Sequence, residues 1–224
     1  MKLKTFLRNN GLSLTLAALF VFFLAGQIVA GRSEYNDDRA RGGLPPMGLA
    51  EYLYCPHFFE ATFENWESEF LQMGAYVFLT IFLFQKGSSE SKDPDEKAPQ
   101  DDDPRAMRNK PEVPWPVRRG GWVLKLYENS LGLAFVVLFV TSMAGHAVSG
   151  AKLYSEEQTL RGENGVTLVQ YIKSSRFWFE SFQNWQSEFL AIGSMVVLSI
   201  FLRQRGSPES KPVAASMWET ADEE

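Results

Sequence analysis

Twenty consecutive residues without a charge, LSLTLAALFVFFLAGQIVAG at positions 12–31, leave a chain few ways to fold. As a helix they span about 30 Å, the hydrocarbon thickness of a bilayer. The same kind of run returns as LGLAFVVLFVTSMAGHAVSG at positions 131–150. The recurrence is not confined to these runs. Shifted by 119 positions, residues 10–92 align without a gap on residues 129–211, with 34 of 83 positions identical. Internal repeats of this kind decide an architecture before any local reading does. The identities are uneven: residues 63–92 match at 19 of 30 positions, and residues 10–62 at 15 of 53. The second part of each repeat therefore carries the tighter physical constraint.

Each repeat holds a second, shorter apolar run, FLQMGAYVFLTIFLF (70–84) and FLAIGSMVVLSIFL (189–202). Aromatic residues at helical spacing precede both. A helix from about His57 to Gln85 is roughly 43 Å long, enough to cross a bilayer core and project through one interface. The alternative, buried helices of a soluble bundle, sits poorly with polar residues this sparse. The expected fold class is therefore all-α and integral to a membrane, with four transmembrane helices arranged as two tandem parallel-repeat helical hairpins. The basic start MKLKTFLRNN and the IVAG at 28–31 resemble a signal peptide. Recurrence of the same apolar run deep in the chain argues for a retained helix.

Lys and Arg placement sets the orientation. With the N-terminus cytoplasmic, 15 of the 22 basic residues fall inside and seven outside. Both termini are expected in the cytoplasm, with the two hairpins related by an axis along the membrane normal. The expected divisions are residues 1–86 (outer loop about 32–58), a charged Pro-rich cytoplasmic linker at 87–121, residues 122–205 (outer loop about 151–176), and a disordered cytoplasmic tail at 206–224. The linker is too charged and too poor in apolar residues to form a core. It ends in an interfacial anchor made of Trp115, Arg118, Arg119 and Trp122.

The phrase FENWESEFL at 63–71 returns as FQNWQSEFL at 182–190. On a helix, Phe63, Trp66, Phe70 and Gly74 form one stripe, continued by Val77 and Ile81. Phe182, Trp185, Phe189 and Gly193 repeat it. We read the stripe as a packing seam whose glycine admits a close partner backbone. The expected partner is the small-residue end of the preceding helix: Ala25, Gly26 and Gly31, or Ala144, Gly145 and Gly150. A second stripe is polar, with Asn65 and Glu69 in one repeat and Asn184 and Glu188 in the other. Glu69 lies roughly 25 Å from Lys86 along a helix, which places it near the outer interface. These pairs are read first as interfacial hydrogen-bonding groups and second as a cation or proton site. Gln27 and His146 occupy equivalent positions and are expected to hydrogen-bond between helices.

Chemistry beyond this is thin. The single cysteine, Cys55, excludes an intrachain disulfide. Cys55 with His57 makes two ligands and no metal motif, and the acids Asp37, Asp38, Glu156 and Glu157 lack a Ca²⁺ ligand count. No Walker motif, nucleophile elbow or paired CxxC occurs. We expect no catalytic residue, no metal and no cofactor. The net charge of −5, concentrated in the linker and tail, argues against a nucleic-acid partner. The expected partners are the lipid bilayer and a protein docked on the linker or on the repeated GSSESK (87–92) and GSPESK (206–211) segments, whose Glu-Ser-Lys has no structural necessity visible in sequence. The function expected is a non-enzymatic structural or interaction module. A small transporter or channel component using the outer carboxylates is the alternative, and a lipid-modifying enzyme a remote third.

The stretches NGLSL, FEATFENWESEFLQMGAYV, PWPVRRGG, LYENSL, SRFWFESFQNWQSEFLAIG and GSPESKPVAA together resemble a family of bacterial membrane proteins known as a domain of unknown function. The resemblance covers nearly the whole chain. It implies a bacterial cytoplasmic (inner) membrane location and supplies no activity, ligand or catalytic residue.

Overall fold

The computed structural model describes residues 2–220; residues 221–224 of the tail lie outside the described residues. Among the described residues every regular element is helical: α1 (Lys2–Asn9), α2 (Gly11–Arg41), α3 (Leu49–Tyr52), α4 (Pro56–Phe82), α5 (Trp115–Arg119), α6 (Gly121–Glu128), α7 (Ser130–Leu160), α8 (Leu168–Ile172) and α9 (Ser175–Phe201), with two short 3-10 turns, Pro99–Asp101 and Pro104–Met107, between α4 and α5. The chain divides into two compact units. Unit 1 comprises Met1–Phe63 with Gly145–Phe177, and unit 2 comprises Glu64–Ala144 with Trp178–Glu224.

Two helices, α2 and α7, are long and apolar enough to cross a membrane, not the four expected. The physical reason lies in where α4 and α9 stop. They end at Phe82 and Phe201, so their uncharged, mainly apolar stretches run only over 70–82 and 189–201. Such a stretch reaches about 20 Å as a helix, short of a bilayer core. The remainder of α4 carries Glu60, Glu64, Glu67 and Glu69. In α2 the most apolar window is 0 % buried, and in α7 22 %. Soluble-protein helices that are apolar all round are normally buried.

Local chemistry sets the helix boundaries. Pro56 opens α4, where a missing N–H costs nothing. Ser174 precedes α9, and its Oγ accepts from the Phe177 N–H at 3.3 Å. At the start of α8, Thr167 Oγ1 accepts from Gln170 N–H (3.3 Å) while Gln170 Oε1 accepts from Thr167 N–H (2.8 Å), a reciprocal cap. One repeat earlier, Glu51 accepts from the Gly48 N–H at 2.8 Å in front of α3.

In unit 2, α4 runs antiparallel along α7, with Gly74 against Phe135 and Phe78 over Gly132. The linker and tail, where composition suggests disorder, carry turns and local ion pairs. Lys86–Asp95, Lys92–Asp101 and Lys97–Asp102 close at 2.6, 2.7 and 2.6 Å. Surface pairs of this kind contribute little stability. The Lys211 ammonium donates to the carbonyls of Ser216, Met217 and Glu219 at 3.3, 2.9 and 2.8 Å. Burial and the nearby Arg203 push the Lys211 pKa below its ordinary value.

Candidate functional site

Unit 1 gathers its aromatic residues around the C-terminal turns of α2 and α7. Tyr52, on the short α3, is 1 % exposed. Its hydroxyl lies against Gly31 of α2, where a Cβ would overlap it. The same hydroxyl is 3.0 Å from His57 Nδ1, and His57 Nε2 is 3.1 Å from a Glu34 carboxylate oxygen. A neutral imidazole protonated on Nε2 satisfies both contacts: Tyr52 donates into Nδ1, and Nε2–H donates to Glu34. Burial, with smaller contributions from Cys55 and Glu34, pushes the Tyr52 hydroxyl up to about 12. Tyr52 thus keeps its proton and acts as a donor. The Tyr35 ring stacks on His57 at 4.8 Å.

The arrangement recurs 119 positions later. Tyr171 is fully buried, and its ring and hydroxyl fill the space over Gly150. Its hydroxyl is 3.5 Å from His146 Nε2. Arg176 stands where His57 stood. Its guanidinium lies over Tyr154 at 4.9 Å. It also holds Glu157 in a bidentate pair at 2.5 and 3.2 Å, the geometry that a planar guanidinium favours. Both caps therefore consist of a tyrosine over a helix glycine and a basic side chain stacked on a second tyrosine and tied to an acid. The role common to both positions is holding the cap in place.

Between these caps, wholly within unit 1, lies a cavity of about 760 Å³. That is within the usual range of ligand pockets. Tyr35, Asp38, Arg39 and His57 line one side, and Lys152, Glu156, Glu157 and Thr159 of α7 the other. Val148, Ala151, Leu153, Leu160, Val166 and Leu168 supply an apolar wall. Most of the charge is already engaged. Arg41 pairs with Asp38 at 2.6 Å, and Arg176 takes Glu157. Arg39 donates through Nε to the Pro45 carbonyl at 2.9 Å.

A family model described as a domain of unknown function (DUF6766) matches residues 3–222. The chain belongs to the DUF6766 family. No curated protein and no solved structure matches it. Membership of DUF6766 bears out the resemblance to an uncharacterised domain family and brings no activity with it, so the function of this DUF6766 chain has to be argued from its residues.

The residues singled out in sequence do not come together as one site. Asn65 and Glu69 of α4 are exposed, and Asn184 and Glu188 of α9 are half-buried. Asn184 donates to Glu64 at 2.6 Å, and the Glu188 carbonyl accepts from Gln72 at 2.9 Å. Among the described residues of unit 2 the fully buried carboxylate is Glu67, which accepts from Ser181 Oγ at 2.9 Å. A signal for it existed. Glu67 lies four residues after Phe63 and three before Phe70, on the seam itself, and its counterpart is the polar Gln186. In the seam, Phe63, Trp66 and Phe70 are half-buried and Gly74 is buried, while Phe182, Phe189 and Gly193 are exposed. Trp185 packs on Phe139 at 6.3 Å. The expected partner surface is used differently. Phe63 sits on Gly145 of the other repeat, and a Cβ on Gly26 would meet nothing within 4 Å. Gln27 donates to Thr62 at 3.2 Å, and His146 is fully buried.

Proposed function

We propose that the chain is a bacterial cytoplasmic-membrane protein with four spans, arranged as two tandem hairpins with both termini cytoplasmic, and that it works by binding at its outer face rather than by catalysis. One observation carries this reading: the C-terminal turns of α2 and α7 line one pocket. Helices that end on the same pocket run in the same direction. If both cross a bilayer, the chain between Arg41 and Ser130 crosses back, and α4 is the one described helix there with the length to do so. Hydropathy undercounts α4, because its buried acids face protein rather than lipid. Glu60 is 8 % exposed and Glu67 0 %. The ends of α4 and α9 also meet, with Ser88 and Ser199 hydroxyls at 2.8 Å and Ser89 donating to the Glu209 carbonyl at 3.1 Å. That supports a second pair of helices running the other way.

Binding is favoured over catalysis by the caps. Tyr52 holds its proton firmly, Cys55 is 4 % exposed, and the position of His57 is filled by arginine in the second cap. The test is native mass spectrometry of the gently solubilised protein beside a pocket-filling Leu160→Trp variant. A small molecule should co-purify with the wild type and be lost from the variant. Failure to retain any ligand, by a wild type that stays folded, would contradict the reading.

The transport alternative has its own observation, the buried Glu67 held by Ser181 with Glu64 held by Asn184 on α9. Intramembrane carboxylates commonly mark ion paths. In proteoliposomes Glu67→Gln should abolish proton or cation flux. Absence of flux in the wild type at every imposed potential removes this alternative.

A further inference from the structure

We infer that the unit 1 pocket receives a zwitterionic amphiphile, with its anionic group on Lys152, its ammonium on Glu156 and its apolar body along the wall formed by Val148, Leu160 and Val166. The inference rests on the outer-face binding reading and adds the class of ligand.

Two of the charges that line the pocket are neutralised by ion pairs, and the Arg39 guanidinium is held on the Pro45 carbonyl and over the Tyr35 ring. Asp38, Glu157 and Arg39 each have a protein partner. Lys152 and Glu156 line the same cavity, and neither forms an ion pair or hydrogen bond among the described residues. They lie four residues apart on α7, one helical turn, or about 6 Å along the axis. The order, Lys before Glu, is the less favourable one for an intrahelical pair. Lys152 and Glu156 therefore offer a cation and an anion side by side, without a protein ion-pair partner on either.

A ligand carrying a single charge would engage only one of the two groups. A zwitterion engages both. The apolar wall calls for a hydrocarbon portion as well: Leu160 and Val148 line the pocket and are 63 % and 45 % exposed. Phosphoethanolamine joined to an acyl chain has all three features. The same head chemistry is available from a membrane lipid or from a free small zwitterion, and the experiment separates these sources.

The full chain, purified in a non-ionic detergent, is titrated with lysophosphatidylethanolamine, lysophosphatidylglycerol and free phosphoethanolamine, with one-to-one complexes counted by native mass spectrometry. The expected result is saturable binding of lysophosphatidylethanolamine about tenfold or more tighter than lysophosphatidylglycerol, with a similar loss in Lys152→Met/Glu156→Gln. Both side chains are exposed, so the double variant keeps its fold, as circular dichroism and an unchanged Tm will verify. Competition by free phosphoethanolamine would assign the site to a soluble zwitterion as well as a lipid. Failure of free phosphoethanolamine to compete would assign it to a bilayer lipid. Equal binding of the two lysolipids, unaffected by the double variant, overturns the zwitterion assignment and leaves the binding reading intact. No binding of either amphiphile, together with no co-purifying ligand, overturns both.

Discussion

Gly31 and Gly150 are the residues on which the unit 1 caps rest. Each gives a buried tyrosine the space that a side chain would take. Gly26, five residues from Gly31, faces nothing within 4 Å. Gly150→Ala should therefore lower stability by about 1–3 kcal/mol through overpacking, whereas Gly26→Ala should leave it nearly unchanged. Thermal unfolding of the detergent-solubilised protein measures both. The Tyr52 hydroxyl carries a pH signature. Its folded pKa of about 12 lies above the ordinary 10.0, so the folded state holds this proton more tightly. The associated stability is fully present below pH 10.0 and is lost as pH rises towards about 12. Phenolate absorbance should show a late-titrating tyrosine that disappears in Tyr52→Phe; a titration unchanged by that substitution would contradict the assignment.

The residue scale also shows where sequence was a partial guide. Asn65 and Glu69 stood out as a polar stripe that returns at Asn184 and Glu188, but Glu67 and Ser181 are the pair the fold buries fully. Helical spacing places Glu67 on the aromatic seam as surely as Trp66, and an acid on a seam reads as exposed until a partner hydroxyl is known. We expect Glu67→Gln to keep the Ser181 hydrogen bond and cost under about 1 kcal/mol, and Glu67→Ala to cost about 2 kcal/mol or more. The unfolding midpoints of the two variants provide the comparison.

At the scale of elements, the repeated GSxESK segments are helix terminators. Gly87 takes a φ of 84° and Gly206 a φ of 86°. Both lie in the left-handed region that glycine adopts freely. Ser91 and Ser210 each accept, at 2.8 Å, the backbone N–H of Gln85 and Gln204. Ser88 and Ser207 accept from the N–H groups of Glu90 and Glu209 at 3.1 and 3.2 Å. The Glu-Ser-Lys that had no visible necessity thus closes the exits of α4 and α9. It was not legible because a serine accepting a backbone N–H six residues back matches no short helix-capping rule. Gly206→Ala and Ser210→Ala should each cost about 1 kcal/mol and fray α9, read as lost amide protection in hydrogen exchange near Leu202. The helices themselves were legible from their apolar runs. Their partners were not, since Phe63 settles on Gly145 of the other repeat. A glycine in a helix announces a close approach without saying by which side chain.

For the whole molecule, the membrane arrangement we propose turns on how many times the chain crosses. α2 and α7 are apolar enough on their own, and α4 and α9 are not. The four crossings we propose follow from α2 and α7 lining one pocket with their C-terminal turns, which has them running the same way. With two crossings, the linker would face outward and the loop after α7 inward; with four, the reverse. The direct measurement is labelling of single cysteines by a membrane-impermeant maleimide in spheroplasts, using Glu96→Cys in the linker and Glu163→Cys after α7 in a Cys55→Ser background. With four crossings, position 163 reacts in intact spheroplasts and position 96 only after permeabilisation. Reaction at 96 with protection at 163 would contradict the four-span arrangement.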